Sequence, residues 1–387
     1  MPATNRTKRY FISDIHLSND SSHEKSGDYH PYSWTSQSRI DSLVWFLNRL
    51  AKDPTTKEVV ILGDLFDNWV CPASAEPPSF EEILDSNMGR QVVDALWRLP
   101  DSGVGLTYVF GNHDMLLNAK VLIKHIDGIK PLGNGRKPEP YIVGSLIAEH
   151  GHRFCLFNNP ATGQKSSFLP SGYPMTRILT QVTADTGQPY NMFTELSGII
   201  HAALQDGSQT LVDDIILGMA IKSNMKRKSK IQTGGLYGDD GSVTVEAMMQ
   251  QYKNDFSNWG NKKNGVTRME ALYGEVPYVG GNLQRAADSY FPDYKVVIFG
   301  HTHEACLYPN PSGSHVTDAN GMQKLIFDRN NIYANCGSWT NDCQPSFIEV
   351  ELKEYGKESR RYVRRGIVEG HASYIKNEFY VLDNSGD

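Results

Sequence analysis

Five short clusters of aspartate, asparagine and histidine stand out as groups that could do chemistry. They are Asp14-Ile15-His16, Gly63-Asp64-Leu65-Phe66-Asp67, Gly111-Asn112-His113-Asp114, His150-Gly151-His152 and Gly300-His301-Thr302-His303. Carboxylate, imidazole and amide groups without a thiolate form a ligand set suited to Mn²⁺, Fe or Zn²⁺. These groups are too many for one ion, so they predict two divalent ions, an arrangement that serves in-line displacement at phosphorus.

Each cluster directly follows a short apolar run that is typical of a buried strand. The runs are Tyr10–Ile12, Val59–Leu62, Thr107–Phe110, Leu146–Ala148 and Val296–Phe299. Helical repeats separate the first three runs, from Ile40 to Leu50 and from Val92 to Trp97. This alternation predicts an α/β fold, in which ligand sites form where strands end. The five clusters should therefore converge.

The stretch from 160 to 293 interrupts the strand pattern. Helical spacing recurs within it from Phe193 to Leu204, from Val212 to Ala220 and from Val245 to Trp259. We therefore expect one catalytic domain, residues 1–159 and 294–387, split by a helical insertion or lid at 160–293. Substrate choice is expected to depend on that insertion.

Composition narrows the class of protein. The chain has 387 residues, 38 basic against 44 acidic, a net charge of -6. A net acidic chain does not favour non-specific nucleic-acid binding, which needs a broad basic surface. Five scattered cysteines without a CxxC pair favour a reducing compartment, so we expect a cytoplasmic protein. The sequence predicts neither a signal peptide nor a membrane span, and leaves the oligomeric state open.

The five ordered clusters resemble the pattern of the calcineurin-like metallophosphoesterases: DxH, GDxxD, GNH(D/E), a later His-Gly, and GHxH. The resemblance implies a four-layer α+β architecture, a β-sandwich of two mixed sheets flanked by helices. It also implies that Asp14, His16 and His303 hold one metal, that Asn112, His150 and His301 hold the other, and that Asp64 bridges them. A metal-bridging hydroxide would then attack the phosphorus of a phosphoester. Mn²⁺ is the expected ion, with Fe or Zn²⁺ as alternatives.

The same resemblance implies roles for three further side chains. His113 would stabilise the phosphoryl oxygens or protonate the leaving group, and Asp67 would orient it. His152 lies outside the strict pattern and is a candidate for contact with substrate or metal.

The clusters around Asp64 and Asn112 are also similar to those of UDP-2,3-diacylglucosamine hydrolases, which carry a helical insertion before the last cluster. Those enzymes usually have Arg where this chain has His113, and Asp where it has His152. The expected substrate is a phosphorylated small molecule or a lipid-linked sugar nucleotide. Two alternatives stay open: a nuclease that uses the basic run from Lys222 to Lys230, and a non-catalytic binding scaffold.

Overall fold

The computed structural model describes residues 6–159, 169–170, 172–188, 218, 220–221, 223–235, 241–260, 262–273, 282–309, 314–317, 323–326 and 331–386. The strands, in chain order, are β1 (Lys8–Ile12), β2 (Thr56–Leu62), β3 (Gly105–Val109), β4 (Ile129–Asn134), β5 (Lys137–Pro138), β6 (Tyr141–Val143), β7 (Leu146–Ala148), β8 (Lys230–Gln232), β9 (Ser242–Thr244), β10 (Lys262–Lys263), β11 (Val266–Thr267), β12 (Val296–Phe299), β13 (Cys306–Pro309), β14 (Ser314–Thr317), β15 (Gln323–Ile326), β16 (Ile332–Asn335), β17 (Ser346–Tyr355), β18 (Glu358–Glu369) and β19 (Ala372–Leu382). The α-helices are α1 (Gln37–Lys52), α2 (Phe80–Leu84), α3 (Asn87–Asp101), α4 (Ala119–His125), α5 (Gly172–Thr186), α6 (Val245–Asn258), α7 (Arg268–Tyr273) and α8 (Asn282–Asp288).

Two mixed sheets form the centre of the molecule. The larger has eight strands in the order β19-β18-β17-β1-β2-β3-β4-β5, and the smaller has five in the order β13-β16-β12-β7-β6. Strands β1 to β4 run parallel, as do β7, β12 and β16. The expected sandwich of two mixed sheets flanked by helices is confirmed, and the strands expected from the five apolar runs are all present.

The two sheets pack face to face through apolar side chains. Phe11 and Val60 of the larger sheet share one buried cluster with Val296 and Ile298 of the smaller sheet. The outer face of the larger sheet is covered by α1 and α3, as the helical repeats predict. Because both faces of the central strands are covered, their sequences are continuous apolar runs rather than alternating ones.

The described part of the stretch 160–293, here called the insertion, packs on the rest of the chain through a shared core. Ile178 of α5 and Met248 of α6 belong to the same buried cluster as Trp69 and Phe299, which lie outside the insertion. The helical spacing from Val245 to Trp259 corresponds to α6. The two earlier repeats, from Phe193 to Leu204 and from Val212 to Ala220, fall almost entirely outside the described residues.

Helix α5 has no counterpart among the sequence-based predictions. Residues 172–181 are buried without a break. Its apolar residues Met175, Ile178, Leu179 and Val182 follow the helical period, so the sequence did contain a signal for this helix.

No helix in the described parts of the chain combines the length and apolar character needed to cross a membrane. All five cysteines are free, and Cys71, Cys155 and Cys336 are buried.

Candidate functional site

The five polar clusters converge at the carboxyl ends of strands from both sheets. Asp14, Asp64 and Asn112 follow β1, β2 and β3, whereas His150 and His301 follow β7 and β12. Within the described residues, three groups of side chains bring their ligand atoms within 4.8 Å of one another. The groups are Asp14 with His16 and His303, His16 with Asp64 and His113, and Asp64 with His150 and His301.

The backbone at these residues is strained. Seven described non-glycine residues have a positive φ, and five of them belong to the clusters. These five are Asp14 (φ 56), His16 (φ 54), Asp64 (φ 53), His301 (φ 71) and His303 (φ 59). Left-handed backbone at an L-residue costs about 1 to 2 kcal/mol, so the surrounding structure must offset several such costs. Strain of this kind concentrates at functional sites.

Two cluster glycines are required by close approach of the loops. A Cβ on Gly111 would lie 2.0 Å from Asp64 Oδ1. Gly63 has a φ of +82°, and a Cβ there would lie 2.8 Å from His150 Nδ1. Any side chain at either position would push a candidate ligand out of place.

The first half of the site consists of Asp14, His16 and His303. The Nε2 atoms of His16 and His303 face each other at 3.0 Å. Asp14 Oδ1 lies 3.4 Å from His303 Nε2 and 3.8 Å from His16 Nε2. The other ring nitrogen of His16, Nδ1, lies 2.7 Å from Asp67 Oδ2. When Nδ1 carries the ring proton and donates a hydrogen bond to this carboxylate, Nε2 is the atom free to bind a cation.

The second half consists of Asn112, His150 and His301. His150 Nδ1 donates to the Leu62 carbonyl at 2.6 Å, which directs Nε2 toward the centre of the site. That Nε2 lies 3.0 Å from Asn112 Oδ1. The Asn112 amide nitrogen donates to Asn158 Oδ1 at 3.1 Å, so its oxygen is the atom turned inward.

Asp64 lies between the two halves. Its Oδ2 is 3.2 Å from His150 Nε2 and 3.9 Å from His16 Nε2. Its Oδ1 accepts the backbone N–H of His113 at 2.9 Å. A carboxylate in contact with both groups of histidines is suited to bridging two cations.

His113 is held beside the first half by three neighbours. Its Nδ1 lies 2.8 Å from Asp67 Oδ2, although the angle falls short of a hydrogen bond. Its ring stacks on Trp69, with centroids 4.4 Å apart and planes at 29°, and meets the edge of the His16 ring at 4.7 Å. A single carboxylate oxygen of Asp67 therefore serves both His113 and His16.

Opposing charges set the protonation of the histidines. Burial disfavours the charged form of His16, but the neighbouring carboxylates of Asp14 and Asp67 raise its pKa to about 9. Burial acts likewise on His150, whose pKa is nevertheless raised to about 9, chiefly by the negative charges of Asp64 and Asp14. Both rings hold a second proton at neutral pH while no cation is present.

Two other buried groups titrate differently. Burial, together with the charge on His150, lowers the pKa of His301 to about 3. Burial and the charge of Asp64 raise the pKa of Asp114 to about 7. His301 is therefore ready to bind a cation without losing a proton.

His152 is brought next to the second half. Its ring centroid lies 5.4 Å from that of His150 and 6.4 Å from that of His301. It is only 3% exposed, and neither ring nitrogen has a hydrogen-bond partner among the described residues. It lines a cavity of about 220 Å³ together with Glu149, His150 and Arg153.

Three neighbours of the site were not singled out by sequence. Asp114 accepts hydrogen bonds from Gly111 N at 2.7 Å and from the Tyr108 hydroxyl, and it thereby holds the loop after β3. It is the last residue of the Gly-Asn-His-Asp cluster, which was the sequence signal for it. Asn158 orients Asn112, and half-buried Trp34 lies with its ring centroid 5.0 Å from that of His16. Neither has a motif that could have identified it.

Part of this chain is similar in sequence to known proteins. Residues 7–171 match the family model described as calcineurin-like phosphoesterase, a span that includes the first four clusters and ends before His301. The chain is 32% identical over 108 residues to the UDP-2,3-diacylglucosamine hydrolase of Edwardsiella ictaluri (strain 93-146), covering 28% of this chain and 31% of that protein. It is 29% identical over 154 residues to the protein of the same name from Stenotrophomonas maltophilia (strain R551-3), covering 39% of this chain and 48% of that protein.

These matches span less than half the length of the curated relatives. Among solved structures, Vps29 from Chaetomium thermophilum aligns over 98% of this chain and 99% of that chain, with 10% identity and a TM-score of 0.31.

Proposed function

We propose that this chain, whose residues 7–171 belong to the calcineurin-like phosphoesterase family, is a dinuclear-metal-dependent phosphohydrolase. The observation that carries the proposal is the arrangement around Asp64. Two groups of imidazole and carboxylate ligand atoms, each within 4.8 Å, meet at this one carboxylate. The family match ends at residue 171, so it does not itself include His301 and His303, which the fold brings to the same site.

The residues at the site fit two divalent cations. Asp14 Oδ1 is buried and has no hydrogen-bond partner among the described residues, although it faces His16 and His303. A buried carboxylate oxygen without a donor is costly unless a cation binds there. The donor set of carboxylate oxygen, imidazole nitrogen and amide oxygen suits Mn²⁺, Fe or Zn²⁺, and we propose Mn²⁺.

In the proposed assignment, Asp14, His16 and His303 would hold one cation, Asn112, His150 and His301 would hold the other, and Asp64 would be shared between them. When bound, two such cations supply hydroxide near neutral pH and neutralise charge on the phosphoryl group. The protein contributes fixed positions, because Asp67 and the Leu62 carbonyl determine which ring nitrogen of His16 and of His150 faces inward.

His113 is proposed to act on the substrate itself. With Nδ1 directed to Asp67 and the ring stacked on Trp69, Nε2 is the atom left for a phosphoryl oxygen or a leaving group. An imidazolium in this position would stabilise the developing charge or donate a proton to the departing oxygen. His152 is proposed as a substrate contact on the opposite side of the site, because its ring nitrogens lack hydrogen-bond partners among the residues that the structure describes.

The test is a screen for phosphate or nitrophenol release by protein reconstituted with Mn²⁺, with metal content measured in parallel. The panel comprises nitrophenyl mono- and diesters, nucleotides, cyclic nucleotides, sugar nucleotides and lipid phosphates. His113→Ala should keep its metal and lose about 10²- to 10⁴-fold in turnover, because it removes the proposed acid but no ligand.

The exposed His371, which stacks on Trp45, gives a matched control, since His371→Ala should retain wild-type turnover. Wild-type turnover in His113→Ala would refute its assigned role. Absence of hydrolysis across the panel by fully loaded protein would refute the phosphohydrolase and leave a binding scaffold.

The similarity to UDP-2,3-diacylglucosamine hydrolases favours a second candidate, a pyrophosphatase acting on a lipid-linked sugar nucleotide in the cytoplasm. It predicts faster hydrolysis of a detergent-dispersed diacylated sugar nucleotide than of the same compound without acyl chains. Equal rates on both compounds would argue against it.

A further inference from the structure

The segment from Asp67 to Glu76, here called the Asp67 loop, leads from the site to the insertion. Its first residue is hydrogen-bonded next to the site, because Asp67 N donates at 2.7 Å to the carbonyl of Leu17, the residue after His16. Asp67 Oδ1 accepts the backbone N–H groups of Trp69 at 2.7 Å and Val70 at 2.9 Å. The position of the Asp67 carboxylate thus depends on how the rest of the loop is folded.

The outer part of the Asp67 loop is held by the insertion. Arg177 of α5 donates from Nε to the Cys71 carbonyl at 2.7 Å, and from Nη2 to the carbonyls of Pro72, at 2.8 Å, and Ala75. Gln181 Oε1 accepts from Ser74 N at 3.0 Å and from Ser74 Oγ at 2.7 Å.

Gln232 N at the end of β8 donates to the Ala73 carbonyl at 2.7 Å. Every residue from 71 to 75 is therefore hydrogen-bonded to the insertion.

Arg177 is an unusual anchor. It is fully buried, and no carboxylate among the described residues pairs with it. In the described part of the chain, its N–H groups donate to the three loop carbonyls and to the hydroxyl of Tyr173, which accepts from Nη1 at 2.7 Å. A buried cation is costly unless its donors are satisfied, so the guanidinium and the curved loop require each other.

An aromatic stack continues from the insertion to the site. The Tyr173 ring meets Trp69 edge-on, with centroids 5.6 Å apart, and Trp69 in turn stacks on the ring of His113. Trp69 is fully buried between them. A change in the insertion that shifts Trp69 must shift the surface on which His113 rests.

We infer that the insertion positions His113: Tyr173, Arg177 and Gln181 are positioning residues that fix the Asp67 loop, and through Asp67 and Trp69 they fix the ring of His113. This inference rests on the proposed function of His113. It adds a role for the insertion that is independent of any contact with substrate.

The test compares Arg177→Met and Gln181→Leu with wild type. At saturating Mn²⁺, each should lower kcat on a nitrophenyl phosphodiester by about 10- to 100-fold, the usual effect of losing an orienting partner, while KM stays within about twofold of wild type. In metal-free protein, the ring ¹⁵N shifts of His113, assigned by their loss in His113→Gln, should move. Arg227→Met, which removes a surface ion pair with Glu246 in the same insertion, should change neither quantity.

Unchanged kcat and unchanged His113 shifts in a folded Arg177→Met would overturn the inference. If Arg177→Met does not fold, Gln181→Leu decides on the same two measurements, since the hydrogen bonds it removes among the described residues are those to Ser74 and one to Asp185 within α5. A loss of metal or a rise in KM that accounts for the whole defect would also overturn it. The NMR measurement needs no activity, so failure of the proposed function, seen as an inactive wild type, is distinguishable from failure of this inference.

Discussion

The two halves of the candidate site are built from similar ligands but are oriented by different groups. In the first half, His16 is oriented by the carboxylate of Asp67, which also serves His113. In the second half, His150 is oriented by the Leu62 carbonyl and Asn112 by the side-chain amide of Asn158. The first half thus depends on a charged side chain, and the second on neutral groups.

This difference has a physical consequence. A carboxylate that is hydrogen-bonded to one ring nitrogen of a histidine makes the other ring nitrogen a stronger metal ligand. It also couples that histidine to any further group that contacts the same carboxylate. A backbone carbonyl fixes orientation without adding charge, and no substitution removes it. We therefore expect the first half to respond strongly to single substitutions around it, and the second half to respond weakly.

The largest effect is expected where the halves meet. Asp64→Asn should remove the negative charge shared by both halves, yet asparagine tolerates the left-handed backbone at this position better than alanine. Loss of cation binding worth several kcal/mol corresponds to a fall in turnover of about 10³-fold or more. Metal content should fall in both halves, as measured by elemental analysis. Retention of two tightly bound ions would show that Asp64 is not the bridge.

The intermediate effect separates the two halves. Asp67→Asn should weaken binding of one of two ions by about 10- to 100-fold, as expected for a lost orienting carboxylate. Asn158→Ala, its counterpart in the second half, removes one neutral hydrogen bond worth about 1 kcal/mol, or roughly fivefold. Stepwise metal titration of both variants checks the ranking. Equal losses of ion affinity in Asp67→Asn and Asn158→Ala would mean that the charge of the orienting group does not distinguish the two halves.

The smallest effect concerns protons. The pKa values of about 9 for His16 and His150 mean that both carry a second ring proton to be displaced at pH 7.5, whereas His301, with a pKa of about 3, is already neutral. Metal loading should therefore release protons, and affinity should rise with pH toward about 9.

Because the hydrogen bond to Asp67 helps to raise the pKa of His16, Asp67→Asn should release about one proton fewer. Calorimetry in buffers of different ionisation enthalpy counts these protons. An unchanged number in Asp67→Asn would contradict the assignment of this proton to His16.

Much of the fold and the ligand set could be predicted from sequence because the signals are local. Each cluster occupies a few residues directly after an apolar run, so its position at a strand end follows from the pattern alone. The resemblance to calcineurin-like phosphoesterases is confirmed over residues 7–171. The seven proposed metal ligands lie together, and their assignment to individual ions stays a prediction.

The contacts of helix α5 could not be predicted in the same way. Apolar residues at helical spacing, Met175, Ile178, Leu179 and Val182, indicate the helix, but Arg177 lies 106 residues from the Cys71 carbonyl that it binds. The expectation that the insertion serves substrate choice remains untested, and its contacts add a positioning role that sequence did not suggest.

The sequence by itself determined which donor groups the site contains and that they follow successive strands, since both are properties of short segments. Tertiary structure alone decided that Asp67 faces two histidines, that Asn158 turns the Asn112 oxygen inward, and that the insertion holds the Asp67 loop. Each of these is a hydrogen bond or ring contact between segments far apart in the chain. Such contacts depend on how the two sheets and the insertion pack. They produce no periodic pattern in the sequence of either contacting segment.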